Sequence, residues 1–312
     1  MIHFSQLRQY LPTFEQSWQQ PLDEQARDYV AYYGIDFDHR FEHITQSIGR
    51  FSSGEFDLVY QGFITDVSAP TCIVVHGYYD HSALYKHLVE WCLQQGLNVV
   101  LFDLPGHGLS SGEVANIHSF SCYIDALHRL RLLVEDKVEG PVYLFGQSTG
   151  GAAVMTYLLE NPGIADKAVL MAPLIRPHAW ATKRWGHWLL KRSVSDLQRT
   201  FTLNSHDQEF LDFLSHQDPL QCRKQPLEWI TSMARWIERF KKLPLSEQRV
   251  LVLQGTGDFT VDWRHNLPVV RSKFPRAKIQ TIEAMRHHVV CESEFYRRQV
   301  FSAIERYLII RQ

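Results

Sequence analysis

The sequence predicts an α/β protein, with a mostly parallel central sheet, helices on both faces and a helical segment inserted at one edge. Three observations predict it. Short apolar runs alternate with helical runs from about residue 72 to residue 171. The alternation resumes at residue 250 and continues to the C-terminal helix. Between the two blocks, residues 174–245 read as helices and loops punctuated by Pro177, Pro219, Pro226 and Pro244. Apolar strands alternating with helices mean a parallel sheet covered on both faces.

The elements follow in order. Phe14, Trp18, Ala26, Tyr29, Val30 and Tyr33 have amphipathic helical spacing, and Gly34 reads as a stop. Residues 1–42 are therefore expected to form a helical extension. Residues 43–63 turn to short strands with Ser52-Ser53-Gly54 as a turn. Residues 72–75, 97–102, 142–145 and 167–171 read as buried strands. Helices are expected at 82–95, ended by Gly96, at 120–134, and at 152–159, stopped by Asn161-Pro162-Gly163. Beyond the insertion, 250–253 and 278–282 read as strands, 267–273 as part of a helix and 295–308 as a closing helix. Residues 43–173 and 246–312 would then form the core. Residues 174–245 would form a lid over the carboxyl ends of the strands.

Composition narrows the class. A chain of 312 residues with 45% apolar and 21% charged residues holds one large α/β domain with an insertion, or two small domains. A net charge of -2 and the lack of a Lys/Arg run argue against a nucleic-acid partner. Cys72, Cys92, Cys122, Cys222 and Cys291 are scattered without a C-x-x-C pair, as expected of reduced thiols in a cytoplasmic protein. The N-terminus lacks the basic start and apolar core of a signal peptide, and no run of about 18 apolar residues exists.

The most informative stretch is Gly146-Gln147-Ser148-Thr149-Gly150, between an apolar run and a helical run. In that setting G-x-S-x-G reads as a nucleophile elbow, with Ser148 at the tip of a strained strand-to-helix turn. Its glycines are needed because side chains there would collide with the neighbouring strand or helix. The turn also aims the Thr149 amide at the place where an oxyanion forms. His76-Gly77-Tyr78, after the first buried strand, turns sharply and exposes the amide of Tyr78 as a second donor.

A serine hydroxyl needs a base, and the base needs a third group to orient it. In this kind of sheet the order is Ser, acid, His. Asp258 ends the Gly-rich turn after the strand at 250–253, and Asp262 reads as a helix cap or surface charge. No acid follows the strand at 167–171 closely. The loop Glu283-Ala284-Met285-Arg286-His287-His288 offers two histidines, and only one can face the serine. His76, Asp80 and His81 suggest metal ligands. Tyr78, however, stands where an H-x-H-x-D-H zinc pattern needs histidine, so no metal is expected. His107, in a Pro-Gly loop, is read as structural.

These segments together resemble the α/β-hydrolase superfamily, within it the monoacylglycerol lipase and lysophospholipase group, which is serine aminopeptidase S33-like. Five motifs carry the resemblance: His76-Gly77-Tyr78-Tyr79-Asp80-His81-Ser82-Ala83-Leu84-Tyr85, Asp103-Leu104-Pro105-Gly106-His107-Gly108, the elbow, Leu253-Gln254-Gly255-Thr256-Gly257-Asp258, and the histidine loop with Glu292. It covers about residue 50 to the C-terminus. The resemblance implies Ser148 as nucleophile, Asp258 as acid and His287 as base, with the Tyr78 and Thr149 amides as oxyanion hole. His287 is preferred to His288 because the family loop runs Glu, three residues, His. Two positions depart from the family: Gln147 replaces a histidine before the serine, and His288 replaces a glutamate after the base. No cofactor is implied.

Residues 174–245 hold Trp180, Trp185, Trp188, Trp229 and Trp236, and twelve Lys and Arg against seven Asp and Glu. Trp185, Trp188, Leu189 and Leu190 beside Lys183, Arg184, Lys191 and Arg192 fit a lipid–water interface. The competing reading packs these tryptophans onto the core. The resemblance favours the carboxylic ester of a single-chain lipid as substrate, and the tryptophans and basic residues are the basis for expecting peripheral contact at the inner face of the membrane. An aminopeptidase, an acyltransferase and a non-catalytic binding protein on the same fold are the alternatives.

Overall fold

The computed structural model describes residues 4–180, 182 and 194–309. The chain opens with a helical turn, Phe4–Gln9, a short helix α1 (Phe14–Ser17) and helix α2 (Glu24–Tyr33). Asp23 caps α2 by accepting from the Ala26 amide at 2.7 Å. Gly34 ends it at φ 64, where a side chain would be strained. Ala26, Tyr29, Val30 and Tyr33 share the buried stripe and join Phe4 and Leu7 in one apolar cluster with Ile48, Val59 and Phe63. The N-terminal segment is thus part of the packed body.

β1 (Thr45–Ser53) and β2 (Phe56–Ile64) form an antiparallel hairpin nine residues deep, longer than the sequence pattern suggested. Then follow β3 (Thr71–Val75), α3 (Lys86–Gln94), β4 (Asn98–Phe102), α4 (Ser121–Glu135), β5 (Val142–Gln147), α5 (Thr149–Glu160) and β6 (Lys167–Met171). The expected helix at 82–95 begins with a separate 3₁₀ turn, Ser82–Tyr85. Next come β7 (Asp196–Gln198), α6 (Gln208–Asp212), β8 (Lys224–Pro226) and α7 (Leu227–Lys242). The core resumes with β9 (Leu251–Gly255), α8 (Trp263–Lys273), β10 (Lys278–Ile282) and α9 (Glu294–Ile309).

Eight strands make one sheet in the order β1-β2-β4-β3-β5-β6-β9-β10. β1, β2 and β4 pair antiparallel, and the remaining neighbours are parallel. Every residue of β3, β4 and β9 is buried, which explains their unbroken apolar runs. Register sets the site. Val75 pairs with Gly146, Gln147 with Met171, and Ile282 with Gly255, so the carboxyl ends lie side by side. The loops that leave them meet at one edge of the sheet.

The segment between β6 and β9 lies at that edge. β7 and β8 pair as a small antiparallel ribbon, where the sequence read only helices and loops. Three-residue strands are too short to show alternation. α7 buries Trp229, Met233, Trp236 and Phe240 on one face. Trp236 Nε1 donates to Thr156 Oγ1 on α5 at 3.0 Å, and Trp229 stacks on Tyr78 with ring centroids 3.8 Å apart. These two tryptophans pack onto the core, so they do not serve a lipid interface. The stretch with Trp185 and Trp188 lies outside the described residues. Among the described residues no helix is long and apolar enough to cross a membrane.

Candidate active site

The elbow begins where β5 ends. Ser148 has φ 53 and ψ −112, a backbone conformation that costs a non-glycine residue of order 1–3 kcal/mol. α5 starts at Thr149, three residues earlier than the sequence pattern placed it. A Cβ on Gly150 would collide with the carbonyl of Val75, and one on Gly146 would lie 2.6 Å from the carbonyl of Gly150. The two glycines therefore let strand, turn and helix approach closely enough to hold the strained serine.

The three polar residues meet. His287 Nε2 lies 3.0 Å from Ser148 Oγ, and His287 Nδ1 lies 2.8 Å from Asp258 Oδ2. Asp258 is further held by Gln254 Nε2 at 2.9 Å and by the amides of Thr260 and Val261 at 2.7 and 3.1 Å. Burial opposes the charge on Asp258, but the His287 charge and these donors outweigh it and hold the carboxyl below its usual range. Burial likewise opposes a charged His287, yet the Asp258 carboxylate wins and raises its pKa. The imidazole is thereby arranged to accept a proton from Ser148.

His288 points elsewhere. Its Nδ1 is 3.7 Å from Asp80 Oδ2, and its ring stands edge-on to Phe210. Burial lowers its pKa. Asp262 caps α8 through the His265 amide and pairs with Arg176 at 2.6 Å. Both His76 nitrogens are committed to backbone: Nδ1 donates to Gly77 O at 2.7 Å, and Nε2 accepts from Leu104 N at 2.9 Å. His81 pairs with Asp218 at 3.0 Å. His107 Nδ1 donates to Pro105 O, and burial pushes its pKa down to about 4. His76 and His107 therefore serve the loops that frame the site.

The His-Gly turn lies against the serine. A Cβ built on Gly77 would be 3.4 Å from Ser148 Cβ. Tyr85 Oη accepts from the Gly77 amide at 3.0 Å and donates to Asp80 Oδ2 at 3.0 Å, which fixes the turn. Tyr78 and Thr149 line the same cavity as Ser148 and His287, about 330 Å³ in volume.

Several contacts were invisible to sequence reasoning. Gln147 Nε2 donates to the His287 carbonyl at 2.9 Å. Glu292, fully buried, accepts from the Arg286 amide at 2.8 Å and from the His206 amide and ring at 2.8 and 2.9 Å. It ties the histidine loop to the inserted segment. Both residues stand out as motif positions, but the contacts Gln147 makes with His287 and Glu292 makes with His206 span 140 and 86 residues. Arg199, which also lines the cavity, carried no signal in the sequence.

The model of the family described as serine aminopeptidase, S33, matches residues 68–294. The chain belongs to that family. Among relatives of this S33 family chain, the monoglyceride lipase homolog of Monkeypox virus is 24% identical, over 82% of this chain and 95% of the relative. Mouse monoglyceride lipase is 26% identical over 70% and 74%. The probable lysophospholipase L2 of Haemophilus influenzae is 24% identical over 81% and 89%. The crystal structure of a soluble variant of Saccharomyces cerevisiae monoglyceride lipase with a substrate analog superposes with TM-score 0.72 at 16% identity, over 83% of this chain and 94% of that one. The likeness shows that the S33 family chain has the α/β-hydrolase fold.

Proposed function

We propose that the chain is a serine hydrolase that cleaves carboxylic esters of single-chain lipids through an acyl-enzyme. The observation that carries this reading is the continuous contact from Asp258 through His287 to Ser148. His287 takes the Ser148 proton as Oγ attacks the acyl carbonyl. Asp258 holds the imidazole with Nε2 free to accept and offsets the imidazolium charge. The oxyanion forms against the amides of Tyr78 and Thr149, each worth roughly 3 kcal/mol in the transition state. His287 then protonates the leaving alcohol. Water then attacks the acyl carbon as it loses a proton to His287, and His287 returns that proton to Ser148 Oγ as the acid leaves.

The relatives named as monoglyceride lipases and lysophospholipases support a lipid ester. The family description favours the aminopeptidase alternative. A substrate ammonium would need a free carboxylate. Of those lining the cavity, Asp80 already accepts from Tyr85 and Asp212 from Gln208, and Arg199 would repel the amine. Residues 174–245 act as the lid in this reading. Exposed Leu203 and Phe259, with the excess of lidward basic residues, support contact with a lipid surface.

Release of fatty acid from 1-acylglycerols of increasing chain length, beside an aminoacyl anilide, tests the substrate class. Hydrolysis of the anilide without the esters would reject it. Co-sedimentation with anionic vesicles no stronger than with neutral ones would reject the charge-assisted contact.

A further inference from the structure

The cavity over Ser148 carries a cation that the triad does not use. Arg199 follows β7 and is half-buried. Its Cζ lies 4.0 Å from the ring centre of Tyr79 and 4.4 Å from that of Phe201, so the guanidinium is stacked on two aromatic rings. Nη1 donates to Gln221 Oε1 at 2.6 Å and to Cys222 O at 3.0 Å. Among the described residues, Nε and Nη2 have no acceptor and no carboxylate stands within ion-pair distance.

The position is close to the reacting centre. Tyr79 is the residue after the Tyr78 amide, and the Tyr78 and Tyr79 rings are 3.9 Å apart. Burial opposes the Arg199 charge and the nearby Asp80 carboxylate supports it, while burial, aided by the Arg199 charge, holds the His288 pKa down. Asp80 makes no ion pair with Arg199; it accepts from Tyr85 at 3.0 Å and lies 3.7 Å from His288. Arg199 is a half-buried guanidinium, fixed by stacking in the cavity wall, with two nitrogens that make no hydrogen bond among the described residues, and such a group suits an anion. Its fork geometry matches a phosphate better than a neutral hydroxyl.

Resting on the esterase reading above, the geometry points to Arg199 as the residue that selects the head group, and to an acyl ester whose leaving glycerol carries a phosphate as the preferred substrate. In such an ester the phosphate is only a few bonds from the carbonyl, which suits a cation beside the oxyanion loop. The acyl chain then runs along the apolar lining formed by residues such as Leu174, Leu214 and Met233. If Arg199 served only to tie the ribbon to Gln221 and Cys222, its loss would weaken all substrates alike.

The test compares kcat/KM for a 1-acylglycerol-3-phosphate and the 1-acylglycerol of the same chain, on the full protein and on Arg199→Gln and Arg199→Lys. The unaltered protein should favour the phosphate by at least about tenfold, as a charge-assisted hydrogen bond implies. Arg199→Gln should bring the ratio near one, and Arg199→Lys should keep part of it. An unchanged ratio in Arg199→Gln, or no preference in the unaltered protein, would overturn the proposal. Should Arg199→Gln not fold, the ratio in the unaltered protein should fall as salt rises, and a salt-independent ratio would overturn it.

A second arm does not depend on cleavage. Binding of a 1-O-alkylglycerol-3-phosphate to Ser148→Ala, read by tryptophan fluorescence, should weaken at least about tenfold when Arg199→Gln is added. Binding that depends on Arg199 in a protein that cleaves no ester would reject the esterase reading and keep the head-group site. Ester cleavage with no head-group discrimination would reject this proposal alone. Displacement of the ether lipid by an equal concentration of inorganic phosphate would show a free-anion site and overturn it.

Discussion

Gln147 Nε2 holds the main-chain carbonyl of His287 at 2.9 Å, so the residue next to Ser148 also fixes the loop that carries the base. Strand register makes this possible: Gln147 ends β5, and the histidine loop follows β10 at the same edge of the sheet. Replacing Gln147 with Leu removes the donor and leaves the buried carbonyl without it. The expected result is a fall in kcat of about tenfold with a smaller change in KM. Steady-state kinetics on a nitrophenyl ester checks it, and an unchanged kcat would show that the contact does not position His287.

The pH profile follows from the His287–Asp258 pair. In the proposed mechanism activity requires neutral His287; burial opposes its charge but Asp258 raises its pKa, so kcat/KM should climb through an apparent pKa above the ordinary histidine value of 6.5. The stability that His287 contributes is complete below its unfolded pKa and is lost as pH rises through the raised folded value. Asp258 behaves oppositely, and its contribution is lost as pH falls through its lowered value. A kcat/KM limb below 6.5 would contradict the pairing.

Asp258→Asn keeps the shape of the site but removes the charge that orients the base and stabilises its cation. The expected loss in kcat is on the order of 10⁴ at neutral pH, by analogy with other serine triads. A loss under about tenfold would mean that another group orients His287.

Asp218 anchors the inserted segment rather than the chemistry. Its Oδ2 lies 3.0 Å from His81 Nε2, and its Oδ1 accepts from Tyr33 Oη at 2.8 Å. Burial opposes the charge, but His81 and these donors hold the Asp218 pKa down to about 2. His81 is raised against its own burial. Asp218→Ala leaves a buried imidazole and tyrosine without their acceptor and should cost about 3–5 kcal/mol in urea unfolding. The contribution of this pair should also fade as pH falls toward 2 and as it rises past the raised His81 value. Stability unchanged in Asp218→Ala would contradict the anchoring role.

Local patterns carried much of this fold. The expected strand at 167–171 matches β6 residue for residue because its apolar run is a local signal, and the strand expected at 278–282 matches β10 although its residues are mixed. The amphipathic stripe of α2 and its Gly34 stop were equally plain. The pattern places α5 too late because Gly150 and Gly151 look like helix breakers, whereas Gly150 lies against the Val75 carbonyl of β3 and no side chain fits there. The ribbon of β7 and β8 was too short to announce itself. Ser148 and Asp258 are nominated by position after their strands, and His287 rather than His288 by the Glu, three residues, His spacing of the family loop. Gln147 with His287, Glu292 with His206 and Arg199 with Tyr79 are contacts between distant segments, and no local pattern encodes them.

The most direct test of the central claim is covalent labelling with a fluorophosphonate, followed by peptide mass spectrometry. The account predicts one adduct on Ser148, slowed strongly in His287→Ala and abolished in Ser148→Ala. An unlabelled Ser148 in folded protein, or labelling that persists in Ser148→Ala, would contradict it.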